Sequence, residues 1–263
     1  MPLSKQEQKD LKEAVLLLEN PGLAAKLANY LAVPLEKGFK MLPEAVNKKI
    51  AGVTKSALMI TAKGACFTMR SAPGTKKSNL LHKFTVAATG AVGGFFGMPG
   101  LVVELPASTM VMMRSILDIA RAEGEDVSTI ETKLAALEVF ALGGASDKDD
   151  MSDTGYYAVR AAMAAEVQAA LKYLTKNSAR AAAENAPVIV RLIATVAERF
   201  GVQVSEKAAV QAVPVIGAFG GAAINTLFIG HYQDMARGHF TIRRLERLHG
   251  KEAVEKAYKK YKK

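Results

Sequence analysis

Glu104, Arg114 and Asp118 follow a long uncharged stretch, and they are residue types suited to acid–base work. A carboxylate placed just after an apolar run and two residues before Pro106 would be partly desolvated, which raises its pKa. Arg114 and Asp118 are spaced for one helical pair, and Asp118 and Arg121 for another. If these groups converged they would make a polar enzyme site; strung along one helix they make local ion pairs.

The segment GHYQDMARGHF offers a second set. His231, Asp234 and Gly238 share a helical stripe, and His239 stands beside them. Two imidazoles and a carboxylate are metal-ligand types, but eight residues of helix separate the histidines by about 12 Å. One ion reaches both only if the helix breaks at Gly238, so no metal is expected. Asn225, inside the apolar run from Pro214 to Gly230, must hydrogen-bond if buried and marks a helix contact. Asp147, Asp149, Asp150 and Asp153 miss the calcium-loop spacing: Met151 and Ser152 stand at ligand and glycine positions, and Ala158 where a glutamate is needed. The single cysteine, Cys66, has no catalytic partner nearby and reads as a small buried hydrophobe. No serine-hydrolase elbow, zinc helix, P-loop or dinucleotide glycine pattern occurs, and no cofactor is expected.

The elements that would position these groups read as helices. Hydrophobic residues make up 50% of the chain and aromatics 6%, with no tryptophan, a palette that favours helix over strand. The expected fold is all-α, one multi-helix domain over residues 1–263, with an N-terminal helical extension at 1–40 and a basic helix or tail at 251–263. Ser4 with Glu7, and Ser128 with Glu131, have capping-box spacing. Breaks are expected at Asn185-Ala186-Pro187, Phe200-Gly201 and Val213-Pro214. Pro43 can open a helix whose apolar seam is Val46, Ile50, Val53, Ala57, Ile60, Gly64 and Phe67, with Lys48, Lys49, Lys55 and Lys63 off the seam.

Two uncharged runs, 84–103 and 208–230, reach membrane-spanning length, but GMPG interrupts the first and Pro214 shortens the second. GAVGG at Gly90 to Gly94 recurs as GAFGG at Gly217 to Gly221. Gly90, Gly93, Gly94 and Gly97 form one helical groove, and Gly217, Gly220 and Gly221 another, so two glycine-rich apolar helices are expected to pack closely in the core.

The net charge of +10 is unevenly spread. Residues 45–103 carry eight bases and no acid, residues 104–153 eleven acids and four bases, and residues 154–263 seventeen bases and eight acids. Such asymmetry points to an anionic partner, unless basic and acidic segments neutralise each other in the fold. Lys48, Lys49, Lys55, Lys63, Lys76, Lys77, Lys259, Lys260, Lys262 and Lys263 are the candidate contacts, with Tyr258 and Tyr261 as interfacial rings. Nucleic acid is the weaker partner class, since basic charge is its only support. The N-terminus has no apolar core after its first lysine and does not read as a secretory signal.

The block GAVGGFFGMPGLVVELPASTMVMMRSILDIARAEGED, followed by LEVFALGG, YYAVRAA, VPVIGAFGGAAINTLF and RLERLHG, resembles the EcsC family of bacterial proteins over roughly Lys40 to Lys251. The resemblance implies a cytoplasmic or membrane-peripheral helical protein. The family is named from a gene beside those of an ABC transporter, so a transporter-linked membrane protein is an implied partner class. It supplies no catalytic residues. The expected function is non-catalytic binding at the inner membrane face, to anionic lipid or a membrane protein. The alternatives are a soluble enzyme with a polar site around Glu104, Arg114 and Asp118 or around His231 and Asp234, and an integral protein inserted through Pro214 to Gly230.

Overall fold

The computed structural model describes residues 3–19, 22–31, 39–40, 44–66, 97–143, 155–177, 186–211 and 214–262. Among the described residues there is no strand, as the sequence predicts. The helices are α1 (Lys5–Glu19), α2 (Leu23–Leu31), α3 (Glu44–Thr61, continued by a π turn Ala62–Cys66), α4 (Gly97–Ala122) and α5 (Ile130–Glu138, closed by a 3-10 turn Val139–Ala141). They are followed by α6 (Tyr156–Lys176), α7 (Pro187–Gln211), α8 (Pro214–His249) and α9 (Lys251–Tyr261).

Local chemistry sets most of the boundaries. At α1 the capping box forms in both directions: Ser4 N donates to Glu7 Oε2 at 2.7 Å, and Glu7 N donates to Ser4 Oγ at 3.2 Å. Pro187 and Pro214 each open a helix, where a missing N–H costs nothing. Two expected boundaries are corrected. Ser128 does not cap α5, because Asp126 Oδ1 holds both its N–H and its hydroxyl; Thr129 is the cap, accepting from Thr132 N at 3.2 Å. Phe200-Gly201 is not a break, since α7 runs through it and a side chain at Gly201 would meet nothing within 4 Å.

The α3 seam also shifts. Ile50 and Ala57 are buried, but Ile60 is 51% exposed, and Thr54, Leu58, Thr61 and Ala62 are buried instead. A seam stepping four and three averages 3.5 residues per turn, whereas a straight helix turns every 3.6, so the far end of the pattern rotates out. The rotation carries two threonine hydroxyls inward, and neither has a hydrogen-bond partner.

α3 packs on α4 and α7, and both of these pack on α8, so the four helices close a ring in which α3 and α8 are diagonal. Phe140, Phe200, Phe228 and Tyr232 knit α7 and α8 to the turn after α5, with ring centroids 5.1 to 6.0 Å apart. On its other sides α8 carries α1, α2 and α9. α8 does not break at Gly238. A Cβ there would lie 2.5 Å from Leu18 Cγ, so the glycine lets α1 sit directly on α8. Gly143, with φ +74°, allows a similar approach: a Cβ would lie 2.6 Å from both His231 Cε1 and Met235 Sδ.

At 36 residues, α8 is about 54 Å long. No helix among the described residues, α8 included, is long and apolar enough to cross a membrane. Gly90, Gly93 and Gly94 lie outside the described residues, as do the surroundings of Gly97, Gly217, Gly220 and Gly221 and the acids at 147–153.

Candidate functional site

The polar residues singled out by spacing separate into unrelated places. Glu104, Arg114 and Asp118 lie along one unbroken α4, at axial distances from Glu104 of about 15 and 21 Å, and do not converge. Asp118 pairs with Arg121 at 2.9 Å on an exposed face. Glu104 sits two turns inside α4, so it caps nothing. Its partner is Lys207 of α7, with Nζ at 2.5 Å from Oε1 and 4.8 Å from the centre of the Phe228 ring. Lys207 is wholly buried, and burial lowers its pKa although the Glu104 carboxylate works against that. Its place was legible: it continues the buried stripe Ile193, Val196, Phe200 and Val204 of α7.

His231 and His239 are both buried on the continuous α8, so they cannot share one ion. Burial lowers the His231 pKa to about 4, and nearby Lys26 adds to the effect. Neither His231 nitrogen has a hydrogen-bond partner among the described residues. Asp234 instead joins Lys26 of α2 at 3.1 Å and Arg237 at 3.0 Å. Asn225 Oδ1 is buried without a partner. Among the described residues no three His, Cys, Asp or Glu side chains come together as a metal site.

A buried polar cluster that spacing could not reveal joins α5, α6, α8, α9 and α1. Arg160 forks onto Glu246 at 2.8 and 3.0 Å, and Tyr157 OH donates to the same carboxylate at 3.1 Å. Tyr156 OH lies 3.0 Å from His239 Nδ1, and Glu19 accepts from Tyr156 N at 3.2 Å and Tyr258 OH at 2.6 Å. Glu138 is buried beside them, and desolvation pushes its pKa up to about 7 despite Arg160 and Arg243. The hydrogen-bonded partners in it are 83 to 239 residues apart in sequence, beyond any local pattern. Their partners fix helices to one another, and Tyr258 is too buried to act as an interfacial ring.

The basic residues divide by element. Arg243 and Arg247 of α8 both hold Glu125, and Arg244 bridges Glu123 at 2.7 Å and Asp10 of α1 at 2.8 Å. On α9, Lys259 pairs with Glu255 at 3.0 Å, and just past its end Lys262 pairs with Glu19 at 3.6 Å, while Lys260 is exposed and makes no ion pair among the described residues. On α3, Lys49 and Lys55 are exposed and Lys63 half-buried, and among the described residues none makes an ion pair. After Glu44 that helix contains no acid, and its outer face also presents Ile60. The Lys48 side chain, Lys76, Lys77 and Lys263 lie outside the described residues.

The model of the EcsC protein family matches residues 5–245. The chain belongs to the EcsC family. No curated protein and no solved structure matches it. The family match begins within the first turn of α1, which packs along α8. On this EcsC scaffold, the buried pairs are occupied in holding helices together. The α3 face is different in kind, a helix surface of one sign with an aliphatic side chain among its charges.

Proposed function

We propose that this EcsC protein docks peripherally on an anionic phospholipid surface, at the cytoplasmic face of a membrane, through the outer face of α3. The observation that carries this reading is that, among the described residues, Lys49, Lys55 and Lys63 have no ion-pair partner, on a helix without acids after Glu44 and with Ile60 exposed among them. Each such lysine near an anionic leaflet contributes about 1 kcal/mol, and an aliphatic side chain adds burial at the headgroup boundary. Lys48, next to Lys49, belongs to the same stretch. No catalytic step is assigned, because Glu104, Arg114 and Asp118 are spread along α4.

Vesicle flotation tests the reading. Detergent-free protein should float with phosphatidylserine-containing vesicles at low salt, stay down with neutral vesicles, and be released at high salt. The K49E/K55E/K63E variant should require far more protein for the same flotation. Equal flotation with neutral vesicles, or none with anionic ones, would sink the reading.

A further inference from the structure

A second lysine surface lies on the opposite flank. On α1, Lys5, Lys9 and Lys12 recur at steps of four and three, all exposed, and Leu16 continues the stripe at 58% exposure. Adjoining α1 is α9, where Lys251, Lys256 and Lys260 are exposed and, among the described residues, make no ion pair. Most acids of these two helices are occupied: Glu7 by His249 and Ser4, Asp10 by Arg244, Glu19 by Tyr156, Tyr258 and Lys262, and Glu255 by Lys259. That leaves Glu13 and Glu252 against the six lysines.

Between the helices runs a groove of about 300 Å³, whose apolar side is Leu3, Ala253, Ala257 and Tyr261 and whose polar side is Gln8, Lys260 and the His249 that pairs with Glu7. Gln8 closes it by donating to the Leu3 carbonyl at 2.9 Å. A groove with one apolar side and the Lys260 ammonium at its edge, beside the lysine stripe and exposed Leu16 of α1, suits a lipid headgroup region, where charge and hydrocarbon meet. A nucleic-acid backbone would use the lysines and leave Leu16 and the groove unmatched.

The position of this flank follows from the packing. α3 and α8 are diagonal in the four-helix ring, and α1 and α9 pack on the outer side of α8. With neighbouring helix axes 8–10 Å apart, the α1/α9 layer lies roughly 20 Å from α3, and the two lysine faces point apart. We propose that the α1/α9 flank is a second docking surface for anionic phospholipid, so that one molecule held through α3 bridges two bilayers. This rests on the docking reading for α3, and the experiment separates the two.

Flotation and vesicle clustering, the latter by dynamic light scattering, are measured together on phosphatidylserine-containing vesicles at low salt. Wild type should float and cluster them. A variant with K5E/K9E/K12E and K251E/K256E/K260E should still float through α3, but should need about a hundredfold more protein to cluster vesicles. All six side chains are exposed, so its melting temperature should stay near wild type; the two triple variants made separately give partial loss and keep the test usable if the combined one does not fold. Flotation of wild type without clustering would overturn the second surface and leave α3 docking intact, whereas absence of flotation would remove both. Clustering undiminished in the six-lysine variant would also overturn it. So would loss of duplex DNA binding in that variant with clustering unchanged, which would assign the flank to nucleic acid.

Discussion

Along the C-terminal half of α8, Arg243, Arg244 and Arg247 each meet an acid from another part of the fold, whereas along α3 Lys49, Lys55 and Lys63 meet none among the described residues. Both regions are basic in sequence. The acids that neutralise the α8 arginines come from the turn between α4 and α5, at Glu123 and Glu125, and from α1, at Asp10. Thus the positive excess after residue 154 is partly cancelled by the acidic excess of 104–153, and that of α3 is not. The residue types follow the division: a planar guanidinium fork suits a fixed carboxylate, and a hydrated ammonium on a flexible stem suits a surface whose charges are not fixed. Positive charge in this chain is therefore partly adhesive, holding helix to helix, and partly outward-facing.

Breaking the adhesive side should have the largest effect on stability. Glu246→Ala leaves Arg160 largely buried with its fork empty and removes the acceptor of Tyr157 OH; chemical denaturation should show a loss of about 4 kcal/mol. A loss below about 1 kcal/mol would mean that the cluster is solvated and not structural.

The pH dependence sharpens the same point. Glu138 has a folded pKa of about 7 against an ordinary 4.5, so the unfolded chain releases this proton first as pH rises. Its contribution is therefore lost between pH 4.5 and 7, by an amount on the order of 3 kcal/mol. His231 acts in the opposite sense. With a folded pKa of about 4 against 6.5, it removes stability as pH falls from 6.5 through 4. Comparing denaturation of E138Q and H231N with wild type across this range should give difference slopes of opposite sign; parallel curves would contradict both assignments.

A smaller effect is expected at the Lys207–Glu104 pair. Glu104→Ala strands a wholly buried ammonium, but that lysine can lose its proton, so the cost should be about 2 kcal/mol. Lys207→Met leaves a carboxylate that water reaches, and its melting curve should lie within about 1 kcal/mol of wild type. The reverse order would place the charge burden on Glu104. Smallest of all, K49E/K55E/K63E should alter stability by less than about 0.5 kcal/mol while weakening flotation with anionic vesicles, the signature of charges that serve a partner.

Much of the helix plan was legible because caps and breakers act locally. Ser4 with Glu7, Pro187 and Pro214 mark true boundaries, and Lys207 falls on a buried stripe visible in the periodicity. Ser128 misled because Asp126, two residues earlier, competes for its N–H and hydroxyl. Ile60 misled because a four-three pattern and a 3.6-residue helix drift apart over four turns. Gly201 looked like a break, yet a glycine inside a long helix costs only about 1 kcal/mol, which packing such as that of Leu18 on Gly238 can offset.

By itself the sequence determined the all-α class, the family, the main helix boundaries and the segregation of charge, since each depends on neighbours within a few turns. Tertiary structure alone decided which charges would be spent inside the fold. Arg160 finds Glu246 and Lys207 finds Glu104 across 86 and 103 residues, and no local spacing encodes a contact that exists only when helices pack. The same packing sent Glu104 to Lys207 and Glu123 and Glu125 to the arginines of α8, and among the described residues it left Lys49, Lys55 and Lys63 of α3 without an ion pair.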